Sequence, residues 1–518
     1  MTTTHAMTGA AWADDSPADL AATDAPSAPP APAATVEGRP LGRNISSLAG
    51  AQVITWTMTL LWTLVVPRAL GPAGWGLIVS ALSVSGVAGI VLGLGTRTYL
   101  VREVVVSRAA APALLGTAVI LRLLLAPLFA VSVIAYASLS HSGHEARLVL
   151  YLLAASTLLT LLAEPMQAGF QAIERMQYLA YSDVINKSAQ GLTGIALVFV
   201  GFRATGIAAN LAIVAAAIVA LNVFWLRRFV RIDLRTNARK LVHMAEQSLA
   251  YWAFGVFSLA YLWIDTIMLS LMTRPEVVGW YGAPVRLFQT LMFLPVLLST
   301  AWLPRLVAAF EQRADSVRAA ARVPLELVLV LSVPIAAGTA ILASPMIHLL
   351  YGPAYGSAVP VMVVLGLCIP PMYLNIMLAS VLIAEKRQMT WTWVMAGATV
   401  VNPPFNLLLI PLTQNRYGNG AIGAAISLLL TELLIVGAGF ALVGRDIFGR
   451  NEVRRCLLCA AATAAMCGAF FAARPLGVGP ALVLAAATFV VLAAALRIAT
   501  PAEVAFVKAR LSRLRRIV

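Results

Sequence analysis

From Asn44 onward the chain alternates apolar runs of about 18–25 residues with short polar breaks, and a helix of that length crosses ~30 Å of hydrocarbon. Fourteen such segments are predicted, at 44–66, 75–96, 113–137, 148–170, 181–200, 206–226, 248–272, 281–303, 324–343, 359–382, 390–411, 420–443, 455–473 and 478–498. Every second polar break is basic. With the N-terminus inside, 28 of the 37 Lys and Arg residues fall on the cytoplasmic side. The outer breaks hold only Arg68, Arg147, Arg203, Arg274, Arg416 and Arg474. A missed or extra helix would invert this bias downstream, and no inversion occurs, so both termini are predicted to be cytoplasmic. Residues 1–38 break the pattern: they are rich in Ala, Pro, Thr and Asp, hold five acids and no Lys or Arg, and read as a disordered tail rather than a signal peptide.

Composition agrees and closes off other classes. Of 518 residues 60% are hydrophobic and 11% charged, with a mean hydropathy of +0.86. A soluble chain averages about a quarter charged. The net charge of +15 is not a nucleic-acid surface, because such surfaces are polar and this chain has little polar surface to offer. The fold class is therefore all-α, a polytopic protein of the bacterial plasma membrane.

Three short matches suggest an internal repeat. Gly74-Trp75-Gly76 opens the second segment and Gly279-Trp280-Tyr281 the eighth, 205 residues later. Ala172-Ile173-Glu174-Arg175 answers to Ile383-Ala384-Glu385-Lys386, and Gly206-Ile207-Ala208-Ala209 to Gly423-Ala424-Ala425. A repeat of six helices keeps both halves in one membrane orientation, an arrangement familiar in transporters with the substrate path between the halves. The expected organisation is a 1–38 tail, one six-helix lobe over 39–228, a second over 229–445, and an additional helix pair with a basic tail over 446–518.

Little in the chain suggests catalysis. The outer breaks are short, and the cluster His141-x-x-His144-Glu145 lacks a further ligand for a metal. Cys456-x-x-Cys459 opens an apolar run with no second half-site, so the four cysteines read as small packing residues. No cofactor is expected beyond a coupling ion, Na⁺ or H⁺.

Ionisable groups inside membrane helices are costly and are the functional candidates. Asp265 and Arg286 stand at comparable depth on consecutive segments, and a guanidinium in a cavity suits a pyrophosphate; a helix–helix salt bridge is the structural alternative. Arg122, near mid-membrane, either lines a wet cavity or pairs with another helix. Asp183, Lys187 and Glu164 form an expected ion-pair cluster toward the inner interface. Asn402 and Asn406, spaced i, i+4, share a face and with Asp265, Thr431 and Glu432 could offer oxygen ligands to an ion; polar helix packing is the alternative. Trp56, Trp62, Trp75, Trp263 and Trp280 read mainly as interfacial anchors, with Trp56 and Trp62 as candidates for stacking on sugar rings.

The stretches Pro67-Arg68-Ala69-Leu70-Gly71-Pro72-Ala73-Gly74-Trp75-Gly76 with Arg102-Glu103, Ile264-Asp265-Thr266 through Gly279-Trp280-Tyr281 to Leu303-Pro304-Arg305, and Tyr351-Gly352-Pro353-Ala354-Tyr355 look familiar as a set. Over about residues 40–445 the chain resembles the polysaccharide-export branch of the flippase superfamily that also contains multidrug and toxin extrusion proteins. That resemblance implies two six-helix lobes around a cavity lined by helices 1, 2, 7 and 8. It also implies movement of a polyprenyl-pyrophosphate-linked saccharide between leaflets by alternating access, with Asp265 and Arg286 as cavity charges. Implied partners are the glycan substrate, membrane lipids and a glycan polymerase or glycosyltransferases, and no nucleic acid. Lipid II flipping, small-molecule cation export and a non-transporting scaffold for glycan synthesis are the rival functions.

Overall fold

The computed structural model describes residues 41–140, 143–312, 316–444 and 449–496. The 1–38 tail, His141 and the basic stretch from Arg497 lie outside the described residues. Among those described, the chain is helical with no strand. The helices are α1 (Leu41–Gly93), α2 (Thr96–Val106), α3 (Ala111–Leu139), α4 (His144–Ala172), α5 (Met176–Phe199), α6 (Ala204–Leu226) and α7 (Ala238–Met272), continuing with α8 (Pro275–Leu291), α9 (Phe293–Gln312) and α10 (Ser316–Ile341). The last six are α11 (Ala343–Tyr351), α12 (Val359–Ala384), α13 (Gln388–Tyr417), α14 (Gly420–Val443), α15 (Arg450–Ala473) and α16 (Val478–Ala495).

α1 holds the first two predicted segments and folds back on itself. A straight helix would set Trp62 and Trp75 about 20 Å apart, yet their rings meet at 5.5 Å. The reversal sits at Gly71, whose φ of +68° is cheap only for glycine, and Pro72 then starts the second arm where its missing N–H costs nothing. The eighth predicted segment is split, α8 ending at Leu291 and α9 resuming at Phe293.

Each predicted segment is helical over most of its described length, with breaks at Leu94–Gly95, Met292 and Leu342. Eleven of the described helical stretches are long and apolar enough to cross a membrane. α5 is not among them, and in α7 only Leu259–Met272 qualifies as a shorter apolar stretch. Two of the polar breaks are themselves helical, as α2 on the basic face and α11 in the 344–358 connection.

The arms of α1 pack with α3, α4, α5 and α6, whereas α7 to α10 and α12 to α14 pack with one another. The two groups meet chiefly where α1 crosses α7 and α8. α15 and α16 pair together and reach the rest through α10, where Arg455 grips Glu326 at 2.6 Å and the Cys459 thiol points at the Val330 carbonyl, 3.4 Å away. The lipid-facing sides of α3, α13 and α16 carry exposed Leu, Val and Ile side chains, as helices in hydrocarbon require.

Candidate functional site

Arg286 stands 11 residues into α8 and Lys187 11 residues into α5, so each lies about 16 Å from the start of its helix, well inside it. Both line one cavity of 350 Å³, and their charges are near enough to repel. α5 adds Asn186 and Gln190, joined by a 2.8 Å bond from the Gln190 amide to Asn186 Oδ1. The first arm of α1 adds Thr59, Thr63 and Trp62, whose buried indole N–H has no hydrogen-bond partner; α4 adds Ser156, Thr157 and Thr160. No Asp or Glu is among the lining residues. A second cavity of 290 Å³ shares Thr157 and Leu161 with the first and extends it toward the basic face, past Glu164 and Trp252. The combination of two cations, planar amides, hydroxyls and an indole is suited to an anionic group attached to a polar ring.

Asp265, expected as a cavity charge, is not among the residues lining this cavity. Its carboxylate is buried, accepting from the Asn406 amide at 2.7 Å on one oxygen and from the Tyr281 hydroxyl at 3.4 Å on the other. Tyr281 explains why Arg286 points elsewhere: five residues further along α8 is about 140° around the helix. The Asp265–Arg286 salt bridge is therefore not formed.

Asn402 and Asn406 do share a face, and their amides join at 2.7 Å, with Asn402 donating to Thr431 at 3.4 Å. Glu432 takes part in a neighbouring cluster, accepting from the Tyr261 hydroxyl at 2.8 Å and from the Asn375 amide. Tyr261 and Asp265 are one turn apart on α7, so the two clusters adjoin. The Oδ1 atoms of Asn406 and Asn375 are buried without a donor. Two carboxylates beside two orphaned amide oxygens form an oxygen-rich pocket of the kind a small cation satisfies. Among the described residues no cluster of three or more His, Cys, Asp or Glu exists for a transition metal.

Arg122 is corrected from cavity candidate to structural pair. It is fully buried, bridged to Glu164 at 2.8 Å, to the Thr96 hydroxyl at 2.9 Å and to the Leu161 carbonyl. Of the expected Asp183–Lys187–Glu164 cluster, Glu164 pairs with Arg122 instead, while Asp183 and Lys187 stay one turn apart on α5 and close enough to attract, with Lys187 also lining the cavity. Trp62 lines the cavity as expected; Trp56 is half exposed and meets the Phe293 ring edge-on at 5.1 Å, outside the cavity lining. Lys187 was named from the sequence, but read as part of an ion-pair cluster; Asn186 and Gln190 beside it were not singled out. The i, i+1, i+4 spacing of the three on a segment too polar for a lipid-facing helix was the available signal.

A multi-pass helical protein with a polar cavity between two helix groups is a membrane transporter of the flippase type rather than an enzyme. The family described as polysaccharide biosynthesis protein matches residues 41–310, more than half of the chain, and the chain belongs to that family. The MatE family matches residues 257–408. Among solved structures the chain is similar to the lipid II flippase MurJ in an inward closed conformation, with a TM-score of 0.63 at 12% identity, covering 88% of this chain and 98% of that one. It is also similar to a multidrug resistance MATE family transporter of the MOP superfamily in an inward-facing conformation, with a TM-score of 0.62 at 14% identity, covering 78% and 98% respectively. These likenesses assign the fold of that superfamily. No curated protein matches the chain in sequence.

Proposed function

We propose that the chain moves a polyprenyl-diphosphate-linked saccharide from the inner to the outer leaflet of the bacterial plasma membrane by alternating access, for surface polysaccharide synthesis. The observation that carries this reading is the pair Lys187 and Arg286, one from each helix group, in a cavity with no acidic lining residue. Two fixed cations attract a diphosphate and repel the organic cations a drug exporter carries. Trp62 offers a ring face to the first sugar, while Asn186 and Gln190 offer amide donors and acceptors to its hydroxyls. At 350 Å³ the cavity suits a head group rather than a long glycan. The remaining sugars then thread through in turn while the polyprenyl chain stays in lipid.

Basic segments on the cytoplasmic side orient the cavity's extension toward the cytoplasm, where such a substrate is assembled. Asp265, Asn402, Asn406, Thr431 and Glu432 hold the coupling ion, Na⁺ or H⁺, in the second helix group. The glycan polymerase or glycosyltransferases are the expected neighbours in the pathway.

Transport by purified protein in liposomes tests the reading. A fluorescent short-chain polyprenyl-diphosphate disaccharide should cross in the presence of an ion gradient, and an organic cation such as ethidium should not. Ethidium transport without saccharide transport would overturn it. Lipid II is a second candidate cargo, since it presents the same diphosphate to Lys187 and Arg286; movement of lipid II in preference to the disaccharide would select it.

A further inference from the structure

The tightest contact between the two helix groups is made by backbone. Pro72 opens the second arm of α1 and Pro275 opens α8; four residues on stand Gly76 and Gly279. A Cβ at Gly76 would overlap the carbonyl of Pro275, and a Cβ at Gly279 would overlap the carbonyl of Pro72. The contact is reciprocal, and one offset relates its two halves (275 − 72 = 203 and 279 − 76 = 203). Gly282 and Val79 obey the same offset (282 − 79 = 203) and face each other, a Cβ at Gly282 coming to 2.8 Å from Val79 Cγ2. A pair that maps onto itself marks a local two-fold axis. The repeat therefore runs at 203 here, two short of the 205 expected from the Gly-Trp match.

Two spaces border this contact. One is the cavity holding Arg286 and Lys187, whose lining includes Leu82, three residues beyond Val79; the other is a 230 Å³ vestibule lined by Leu77, Ser80, Pro275 and Val278 and, at the α3–α4 connection, by Ser140 and Gly143. At the vestibule the Tyr136 hydroxyl bonds to Ser270 at 2.8 Å, and near the Gly71 reversal the Tyr355 hydroxyl donates to the Pro67 carbonyl at 2.8 Å and Arg68 to the Leu349 carbonyl at 3.1 Å.

We propose that the Pro72–Gly76 and Pro275–Gly279 turns form the outer gate, a pseudo-symmetric seal that closes backbone to backbone and parts when the cavity opens outward. Glycine is required because any side chain would hold the two helix starts apart, and backbone cannot move aside as a side-chain tip can. Because no interlocked side chain has to change rotamer, the surfaces separate and re-close as rigid bodies, as rocking of one repeat against the other demands. The orientation rests on the reading above; the seal itself does not depend on which cargo is carried.

Thr63, on the cavity side of the seal, reports its state. With the four native cysteines replaced by alanine, Thr63→Cys should react slowly with a membrane-impermeant maleimide added outside intact cells. Adding Gly76→Ala or Gly279→Ala should raise that rate at least fivefold while transport falls. Gly468→Ala in α15 should leave both unchanged, since a Cβ there meets nothing within 4 Å. Gly282→Ala should raise the rate, and Val79→Ala should restore slow labelling, because this overlap alone is with a side chain. The proposal is overturned if Gly76→Ala and Gly279→Ala, present at normal abundance, leave Thr63→Cys labelling unchanged. It is equally overturned if label enters only from the cytoplasmic side, or if the Gly282→Ala defect is a loss of folded protein that Val79→Ala fails to reverse. None of these readouts needs a transported substrate, so a wrong cargo and a wrong gate give different results.

Discussion

Asp265 on α7 and Arg286 on α8 carry opposite charges at similar depth and turn away from one another. The carboxylate is held in the buried amide cluster by Asn406 at 2.7 Å, and the guanidinium lines the cavity beside Lys187. If the proposed function holds, binding and coupling lie on different helix faces, and substitutions on the two faces should have different consequences.

Arg286→Gln and Lys187→Gln should each weaken binding of a polyprenyl diphosphate. A charge-assisted hydrogen bond contributes about 1.5–3 kcal/mol, so the expected loss is about tenfold or more in affinity for each. Lys at position 286 should recover only part of it, because an ammonium keeps the charge and loses the bidentate fork. Titration of the detergent-solubilised protein with a short-chain polyprenyl diphosphate measures this directly. Equal affinity in wild type and Arg286→Gln would remove the anion-site assignment.

Asp265→Asn should leave that affinity near wild type and abolish gradient-driven movement. The same holds for Glu432→Gln, whose partners Tyr261 and Asn375 remain able to bond to an amide. The check is a pair of assays on one preparation, diphosphate binding and transport in liposomes under an imposed Na⁺ or proton gradient. Transport of Asp265→Asn that still follows the gradient would exclude the cluster from coupling.

Trp62→Ala should discriminate between ligands. Loss of an aromatic face costs about 0.5–1.5 kcal/mol beyond area, and here it should fall on a sugar-bearing polyprenyl diphosphate and not on the sugar-free compound. Trp62→Phe should keep most of the affinity. Equal losses for both ligands would place Trp62 in packing, against Trp75.

The segments themselves were legible because hydrocarbon thickness fixes their length, and helices stand at the predicted positions, eleven of the described stretches being long and apolar enough to span. Azimuth was not legible. Depth along α8 placed Arg286 level with Asp265, but only packing reveals that Tyr281, not Arg286, faces α7. The same gap hid the second neighbour of Lys187: Asp183 one turn away was legible, whereas the cavity Lys187 also lines is closed by α1 and α8, far off in sequence. Trp56 and Trp62 were alike in the sequence, and only packing shows that Trp62 lines the cavity while Trp56 meets Phe293 outside it. The glycine contact was half visible: the Gly-Trp match located both turns, while the register needed the prolines and the contact between them.

Arg122 and Glu164 should behave as a structural pair rather than a transport site. Arg122 has 1% side-chain exposure and Glu164 27%, at 2.8 Å. Removing one partner of a buried pair costs about 3–5 kcal/mol because the other charge is left unpaired, and the partial wetting of Glu164 favours the lower end. Glu164→Gln should therefore lower the thermal midpoint of the purified protein markedly. Arg122→Gln with Glu164→Gln should recover most of the loss, since two amides can still bond to each other and to Thr96 with no charge stranded. The recovered double variant should also transport, in contrast to Arg286→Gln. Thermal unfolding in detergent followed by the liposome assay distinguishes the two roles. A double variant that is stable yet inert would return Arg122 to the substrate path.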